Sequence, residues 1–208
     1  MHNSIKSNVR EAGIDEAGRG CLMGPVSTAA VILPYEFITD EYLEIKDSKK
    51  LSKKKRDKLR KYIEETAVSW SVDFAYPEEI DKYNILNATL RSMHRAVDKL
   101  NVSPEHLAVD GNRFLTRHSF PPVNNDDETI EYTLVKGGDD KYRNIAAASI
   151  LAKTHRDEYI HKLIEETPDF KKYGWDTNMG YGTKKHMQGI LKYGITQFHR
   201  KSFKPCNI

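Results

Sequence analysis

Three stretches of the chain set an acid at the end of an apolar strand rather than on a polar face. They are Asp15-Glu16 in AGIDEAGRG, Asp110 in LAVDG, and Asp139 or Asp140 in LVKGGDD. Each is followed by, or embedded in, glycines, which end a strand and let another group approach the backbone closely. A carboxylate placed there costs desolvation energy unless it is paired or holds a cation. Asp before Gly is also ordinary turn chemistry, and at any one of these sites that reading is equally good. Three such sites, one of them an adjacent Asp and Glu, favour a shared cation. Oxygen ligands without a supporting His or Cys point to Mg²⁺ or Mn²⁺ rather than zinc. Such a site polarises a phosphate and activates a water for in-line attack. The competing phosphate cradle, G-x-x-x-x-G-K-[ST], is absent from the sequence. Consecutive strand residues point to opposite faces. Asp15 and Glu16 can therefore reach one cluster only if the strand kinks or one residue contributes its carbonyl.

The charge distribution supplies a substrate for that chemistry. The formal net charge is only +3, but residues 46–61 hold ten Lys/Arg against two Asp, a local +8. Residues 177–208 carry six Lys/Arg and no acid, a local +6, so the remaining 160 residues carry −11. Two basic blocks around an acidic body suit a protein that binds a polyanion while holding cations.

The elements that position these residues follow from pattern. Residues 10–17 and 25–33 read as two strands joined by a Gly-rich turn. A solvated helix is expected from Ser52, its N-cap, to Thr66, with Leu59, Tyr62 and Ile63 as its apolar stripe. Residues 67–76 alternate as a strand does. Leu86, Leu90, Met93, Val97 and Leu100 step by helical spacings and mark one buried face. Residues 107–111 and 129–138 read as two further strands. A long helix is expected over 144–166, a shorter one near 183–192, then a tail. Strands first and then alternation of strand and helix predict an α/β sandwich around a mixed sheet.

Other classes fall away. At 208 residues with 38% hydrophobic content, the chain fits one large domain with a real core. No apolar run approaches a spanning helix, and MHNSIKSNVR has no apolar stretch behind its charges, so neither a membrane anchor nor a signal peptide is expected. Two cysteines, Cys21 and Cys206, offer neither a disulfide framework nor zinc spacing. A soluble, reducing, cytoplasmic setting follows, in which the sequons at Asn87 and Asn101 are chance matches. His155, His186 and His199 lack mutual metal spacing and are expected in ordinary core or surface roles.

GIDEAGRG (13–20) with GPV (24–26), then DSKKLS (47–52), VDG (109–111), AAASILAKTHRD (146–157), GYGTKKH (180–186) and YGITQFHRKSF (193–203) together resemble ribonuclease HII. The resemblance runs from about residue 10 to the C-terminus with the motifs in family order. It implies an α/β, ribonuclease H-like mixed five-stranded sheet flanked by helices, in one domain over 1–208 whose residues 168–208 form a small helical extension. It implies an endonuclease that cuts the RNA strand of RNA–DNA hybrids and the 5′ side of single ribonucleotides in duplex DNA. Mn²⁺ or Mg²⁺ would serve as cofactor, and the products would carry 3′-hydroxyl and 5′-phosphate ends. The four metal-binding, catalytic acids fall by motif on Asp15, Glu16, Asp110 and an Asp of Lys136-Gly137-Gly138-Asp139-Asp140. This segment is one glycine longer than the family pattern, and counting back from AAASILAK selects Asp139.

By the same resemblance, Gly18, Arg19 and Gly20 should read the ribonucleotide's 2′-hydroxyl through backbone groups, and Tyr181 should meet that ribose. The 2′-hydroxyl is the local feature that separates RNA from DNA. A packed aromatic between Gly180 and Gly182 is the plainer reading of Tyr181. Lys49, Lys50, Ser149, Lys153 and Arg156 are candidate phosphate or carboxylate partners, the last three on one helix face (i, i+4, i+7). Lys53 to Lys61 read as a solvated face. A monomer is expected, and no protein partner is identifiable. The alternatives are the sister ribonuclease HIII, which normally carries an extra N-terminal domain, a non-catalytic hybrid-binding module, and a generic metal phosphatase.

Overall fold

The structure, a computed structural model, describes residues 1–35, 39–115 and 130–207. Its centre is a five-stranded sheet in the order β3-β2-β1-β4-β5. The strands are β1 (Glu11–Ala17), β2 (Val26–Ile32), β3 (Ser69–Ala75), β4 (His106–Asp110) and β5 (Glu131–Val135). β1, β2 and β3 form an antiparallel meander, while β4 pairs parallel to β1 and β5 parallel to β4. The mixed sheet expected from sequence is thus present. The last strand is shorter than expected. Thr129 lies outside the described residues, and Gly137, with φ of 65°, turns the chain into a short 3₁₀ segment at Gly138–Asp140.

Helices cover both faces. α2 (Lys53–Thr66) and α4 (Arg143–Glu166) pack Leu59, Ile63, Ala146–Ala148, Ile150 and Leu151 against Ala29 and Val31. α3 (Pro77–Asp98) lays Leu90, Met93, Ala96 and Val97 on Ile14, Ala30, Ile32 and Val109 of the other face. Full burial of a side chain such as Leu90 or Met93 contributes about 1.5–3 kcal/mol. The Ser52 hydroxyl accepts from the Lys55 N–H at 3.3 Å and caps α2 as the sequence predicts. Two features were not anticipated. α3 begins nine residues before its stripe, and it breaks at Asn84, whose φ of 66° and side-chain cap on Asn87 restart the helix. A short α1 (Asp40–Glu44) and a 3₁₀ turn at Ser48–Lys50 also precede α2.

α4 is the positioning element. A Cβ on Gly13 would lie 2.1 Å from the Asn144 carbonyl carbon, so glycine alone lets the start of α4 sit directly on β1. The far end of α4 carries the C-terminal elements: a 3₁₀ stretch at Pro168–Tyr173, α5 (Trp175–Asn178) and α6 (Lys184–Tyr193). Ile160, Leu163 and Ile164 pack there on Tyr173, Trp175, Ile190 and Cys206, together with Leu22 and Met23 of the β1–β2 loop. The C-terminal elements therefore touch the loop that follows the first acids.

Candidate active site

Of the two alternatives that the sequence leaves open for Asp15 and Glu16, a kink in β1 does not occur. Pairing with β2 runs unbroken from Ala12 to Ala17, with Asp15 opposite Ala29 and Glu16 opposite Thr28. The two acids leave opposite faces. Asp15 is buried on the α4 side, where Ser149 hydrogen-bonds its carboxylate, while Glu16 lines a cleft of about 320 Å³ against Leu86, Thr89, Leu90 and Met93 of α3. Both remain at the strand tip, within the field of Asp110. The parallel register ends at Ile14 opposite Val109, which puts Asp110 one residue on, beside Asp15 at the C-terminal ends of two adjacent strands. In open α/β sheets that edge is the usual ligand crevice. The Gly138 N–H donates to Asp110 Oδ1 at 2.6 Å and ties the fourth acidic segment to the third.

Asp139 and Asp140 separate cleanly. The Asp139 side chain is 9% exposed, with its Oδ2 3.6 Å from Lys49 Nζ, whereas the Asp140 side chain is 55% exposed and turned to Lys50. Burial, then Asp110 and Asp47, push the Asp139 carboxyl above its ordinary range, while Lys50 draws that of Asp140 down. Asp15 is pushed up furthest in kind, by burial and then by Glu16 and Asp110. Burial also raises Glu16, against the opposing pull of Arg19 at 3.3 Å. Four carboxylates therefore share one field, and Asp140 stands outside it.

The remaining candidates divide. Ser149 bonds Asp15 and sits 3.0 Å from the Ser48 hydroxyl. Lys49 and Lys50 face carboxylates, as above, and Lys153 pairs with Asp157 at 2.7 Å. Arg156 departs from the expectation of a phosphate or carboxylate partner. It is buried, and its guanidinium donates to the carbonyls of Pro25, Met179 and Met23 at 2.9, 2.8 and 3.1 Å. Seen from the α4 helix, it lies beyond the sheet edge and under the β1–β2 loop. Gly18, with φ of +91°, passes directly over it, and a Cβ there would meet Arg156 Nε at 2.1 Å. Arg19 and Gly20 are exposed at the tip of that loop. Tyr181 is 44% exposed and joined to it by a β-bridge to Cys21 and by the Leu22 N–H donating to the Gly180 carbonyl at 2.8 Å. The acids, the Gly-rich loop and Tyr181 thus form one continuous surface.

Sequence reading missed three groups here. Asp47 lies inside DSKKLS, where attention went to the lysines, yet it borders Asp139. Asn112 and Arg113 follow Asp110 and line the same cleft as Glu16 and Arg19. Arg200 is buried and donates to the carbonyls of Gly24, Arg19 and Gly18. His186 and His199, for which ordinary core or surface roles are expected, take core ones: they are fully buried, with their Nε2 atoms 3.2 Å apart. Only their motifs marked these positions, and no spacing rule connects them.

The ribonuclease HII family model matches residues 12–206. The chain belongs to the ribonuclease HII family. Ribonuclease HII of Parabacteroides distasonis is 52% identical over 193 residues, covering 93% of this chain and 89% of that protein. The fold is that of ribonuclease H2 from Pyrococcus horikoshii OT3, with a TM-score of 0.74 at 24% identity over 95% of each chain. It is also that of Bst ribonuclease HIII, solved in complex with Mn²⁺, with a TM-score of 0.69 at 21% identity over 97% of this chain and 69% of that one. Ribonuclease HII enzymes are endonucleases that hydrolyse RNA in RNA–DNA hybrids, and this chain is one of them. The family depends on a divalent metal. Among the described residues, no three acidic, histidine or cysteine side chains converge closely enough to hold a metal ion. The donor set nonetheless fits a hard cation, because the potential ligands at the tip are carboxylate oxygens that raise one another's affinity for positive charge, with Arg19 and Lys49 as the neighbouring cations. No helix among the described residues is long and apolar enough to cross a membrane.

Proposed function

We propose that Asp15, Glu16, Asp110 and Asp139 hold Mn²⁺ or Mg²⁺ and carry out hydrolysis both on RNA–DNA hybrids and 5′ of single ribonucleotides embedded in duplex DNA. Cleavage gives 3′-hydroxyl and 5′-phosphate ends. The observation that carries this reading is the shared field of the four carboxylates immediately beside the exposed Arg19–Gly20 tip and Tyr181. A bound divalent ion there supplies an activated water and neutralises charge on the phosphate. The chain's own residues do the remainder. Ser149 fixes the Asp15 carboxylate and the Gly138 N–H fixes that of Asp110, so neither reorients during turnover. Arg19 and Lys49 place positive charge at the rim, where a phosphodiester must pass an acidic cluster. Backbone groups of Gly18 to Gly20 and the Tyr181 ring meet the 2′-hydroxyl and ribose, which excludes DNA.

The protein acts as a monomer in the cytoplasm, as one catalytic domain with residues 168–208 as its extension. The test is cleavage of a uniform RNA–DNA hybrid and of a DNA duplex with one ribonucleotide, each with Mg²⁺, Mn²⁺ or EDTA. Metal-dependent cuts in both substrates, the second 5′ of the ribonucleotide, are expected. Binding without cleavage in any metal would leave a hybrid-binding module instead. Cleavage of the hybrid alone would remove the single-ribonucleotide assignment.

A further inference from the structure

Two guanidinium groups lie buried beneath the loop that joins β1 to β2. Arg156 comes from α4 and Arg200 from the C-terminal elements, and each is at most 1% exposed. Among the described residues, neither has a carboxylate within ion-pair distance. Their partners are six backbone carbonyls: Pro25, Met23 and Met179 for Arg156, and Gly24, Arg19 and Gly18 for Arg200. Burying like charges near each other without counter-ions is costly. Burial, with Arg156 as a like-charged neighbour, lowers the Arg200 guanidinium to about 10, and it stays protonated at neutral pH. A general need for packing would be met more cheaply by apolar side chains. What a pair of forked donors uniquely supplies is the orientation of the peptide planes that they hold.

That orientation can be followed atom by atom. In a planar trans peptide, the C=O of one residue and the N–H of the next point in opposite directions. Arg200 Nη2 holds the Gly18 carbonyl at 2.8 Å and Nη1 holds the Arg19 carbonyl at 2.8 Å, both turned inward. The N–H groups of Arg19 and Gly20 must then point outward. Both residues are exposed, and among the described residues these two N–H groups donate to no acceptor. Arg156 completes the arrangement by joining this loop, through Met23 and Pro25, to Met179 beside Tyr181.

We infer that Arg200, with Arg156, is a positioning residue for ribonucleotide recognition. By capturing the Gly18 and Arg19 carbonyls, it aims two consecutive backbone N–H groups at the ribose and fixes their distance from Tyr181. This rests on the proposed role of the Gly-rich loop. It adds that the selectivity of this loop is set from beneath, by the C-terminal part of the chain.

The experiment is steady-state cleavage of the single-ribonucleotide duplex by wild type, Arg200→Ala and Arg200→Lys, with the folded fraction followed by circular dichroism. Misplacement by about 1 Å costs on the order of 10²-fold in rate. Arg200→Ala is therefore expected to lower kcat by about 30-fold or more while KM, dominated by phosphate contacts, changes by less than about threefold. Low millimolar guanidinium ion should restore at least about fivefold of that loss, whereas equal sodium chloride should not. Arg200→Lys keeps the charge without the fork, and a drop of about tenfold is expected even if the alanine variant fails to fold. Wild-type kcat in a folded Arg200→Lys or Arg200→Ala protein would overturn the inference. So would a loss in a folded Arg200→Ala protein that guanidinium does not restore in part. Failure of the wild type to cut this duplex would instead strike the proposed function.

Discussion

Asp15 at the tip of β1 and Arg200 beneath the loop that follows are both charged and both buried, yet their surroundings are opposite. Asp15 faces two other carboxylates and has Ser149 and the Glu16 N–H as its donors. Arg200 faces three carbonyl oxygens at 2.8 to 3.0 Å and no like group in direct contact. The acid tip thus stores repulsion that a cation relieves, while the arginine base spends its charge on fixing backbone. On the proposed assignment, chemistry and selectivity occupy adjoining regions, and each is built on its own electrostatic principle. The contrast yields tests that act on one region and spare the other.

The largest effect belongs to the acid tip. Asp15→Asn or Asp110→Asn should lower cleavage by about 10³-fold or more with hybrid binding still measurable. Wild-type turnover by either variant would remove the carboxylates from the mechanism. Because burial and like charge raise the Asp15 carboxyl, the metal-free Asp15→Asn protein should also melt higher, by about 2–4 °C for each kcal/mol of repulsion removed. A lower melting temperature in EDTA would show that Asp15 is stabilising and the repulsion small.

Within the acidic segment the comparison sharpens. Asp139→Asn should cost about 10²-fold or more, because its carboxylate lies in the field of Asp110. Asp140→Asn removes only an exposed pair with Lys50 and should change the rate by less than about threefold. Equal losses, measured on the same hybrid, would break the distinction that the structure draws between neighbours.

The acid tip was legible in the sequence because strand-end acids beside glycine are a local pattern, and strand register carries them to one edge. The family resemblance, counted back from AAASILAK, selects Asp139 over Asp140, and the 3₁₀ segment buries the first and exposes the second. What could not be read was how Asp15 and Glu16 coexist. Neither a kink nor a carbonyl contribution is needed where a regularly paired strand has two faces that both border the site. The arginine base was equally hidden. Helical spacing placed Arg156 with Ser149 and Lys153, but spacing along a helix does not reveal that its seventh position passes the sheet edge and enters a loop. The Arg200 contact spans 182 residues to Gly18, a separation no local pattern encodes.

On the recognition side, Tyr181→Ala should reduce cleavage at a single embedded ribonucleotide by about 10- to 100-fold, the range of one lost stacking contact. The loss on a uniform hybrid should be smaller, since neighbouring ribonucleotides offer other registers. Tyr181→Phe keeps the ring and separates stacking from the hydroxyl. Unchanged activity at the single site in the alanine variant would reduce Tyr181 to a packed aromatic.

The smallest expected effect lies beneath Tyr181 and is one of stability. The Thr196 N–H donates to His199 Nδ1 at 2.8 Å, so the His199 proton sits on Nε2 and points at His186 Nε2. Trp175 Nε1 also donates to His186 Nε2, and the remaining His186 proton, on Nδ1, reaches the Tyr181 carbonyl at 3.0 Å. Every atom of this relay requires both rings neutral. Burial, with His186 beside it, lowers His199 to about 4, against 6.5 for a free histidine. The unfolded chain therefore binds the extra proton first. The stability contributed is complete above about pH 6.5 and is lost as the pH falls toward 4, at about 1.4 kcal/mol per pH unit in the steep part. The carboxylates at the tip act with the opposite sign, since protonation relieves them. A variant must therefore isolate the histidine. His199→Gln retains a donor near Nε2 but cannot titrate. Its urea-unfolding free energy at pH 7 should be lower by about 1–2 kcal/mol, because the Thr196 N–H loses its acceptor. Between pH 6.5 and 4.5 it should fall less steeply than the wild type, by close to one proton. Parallel slopes would mean that the relay tolerates a charged ring, and that Tyr181 is held by packing alone.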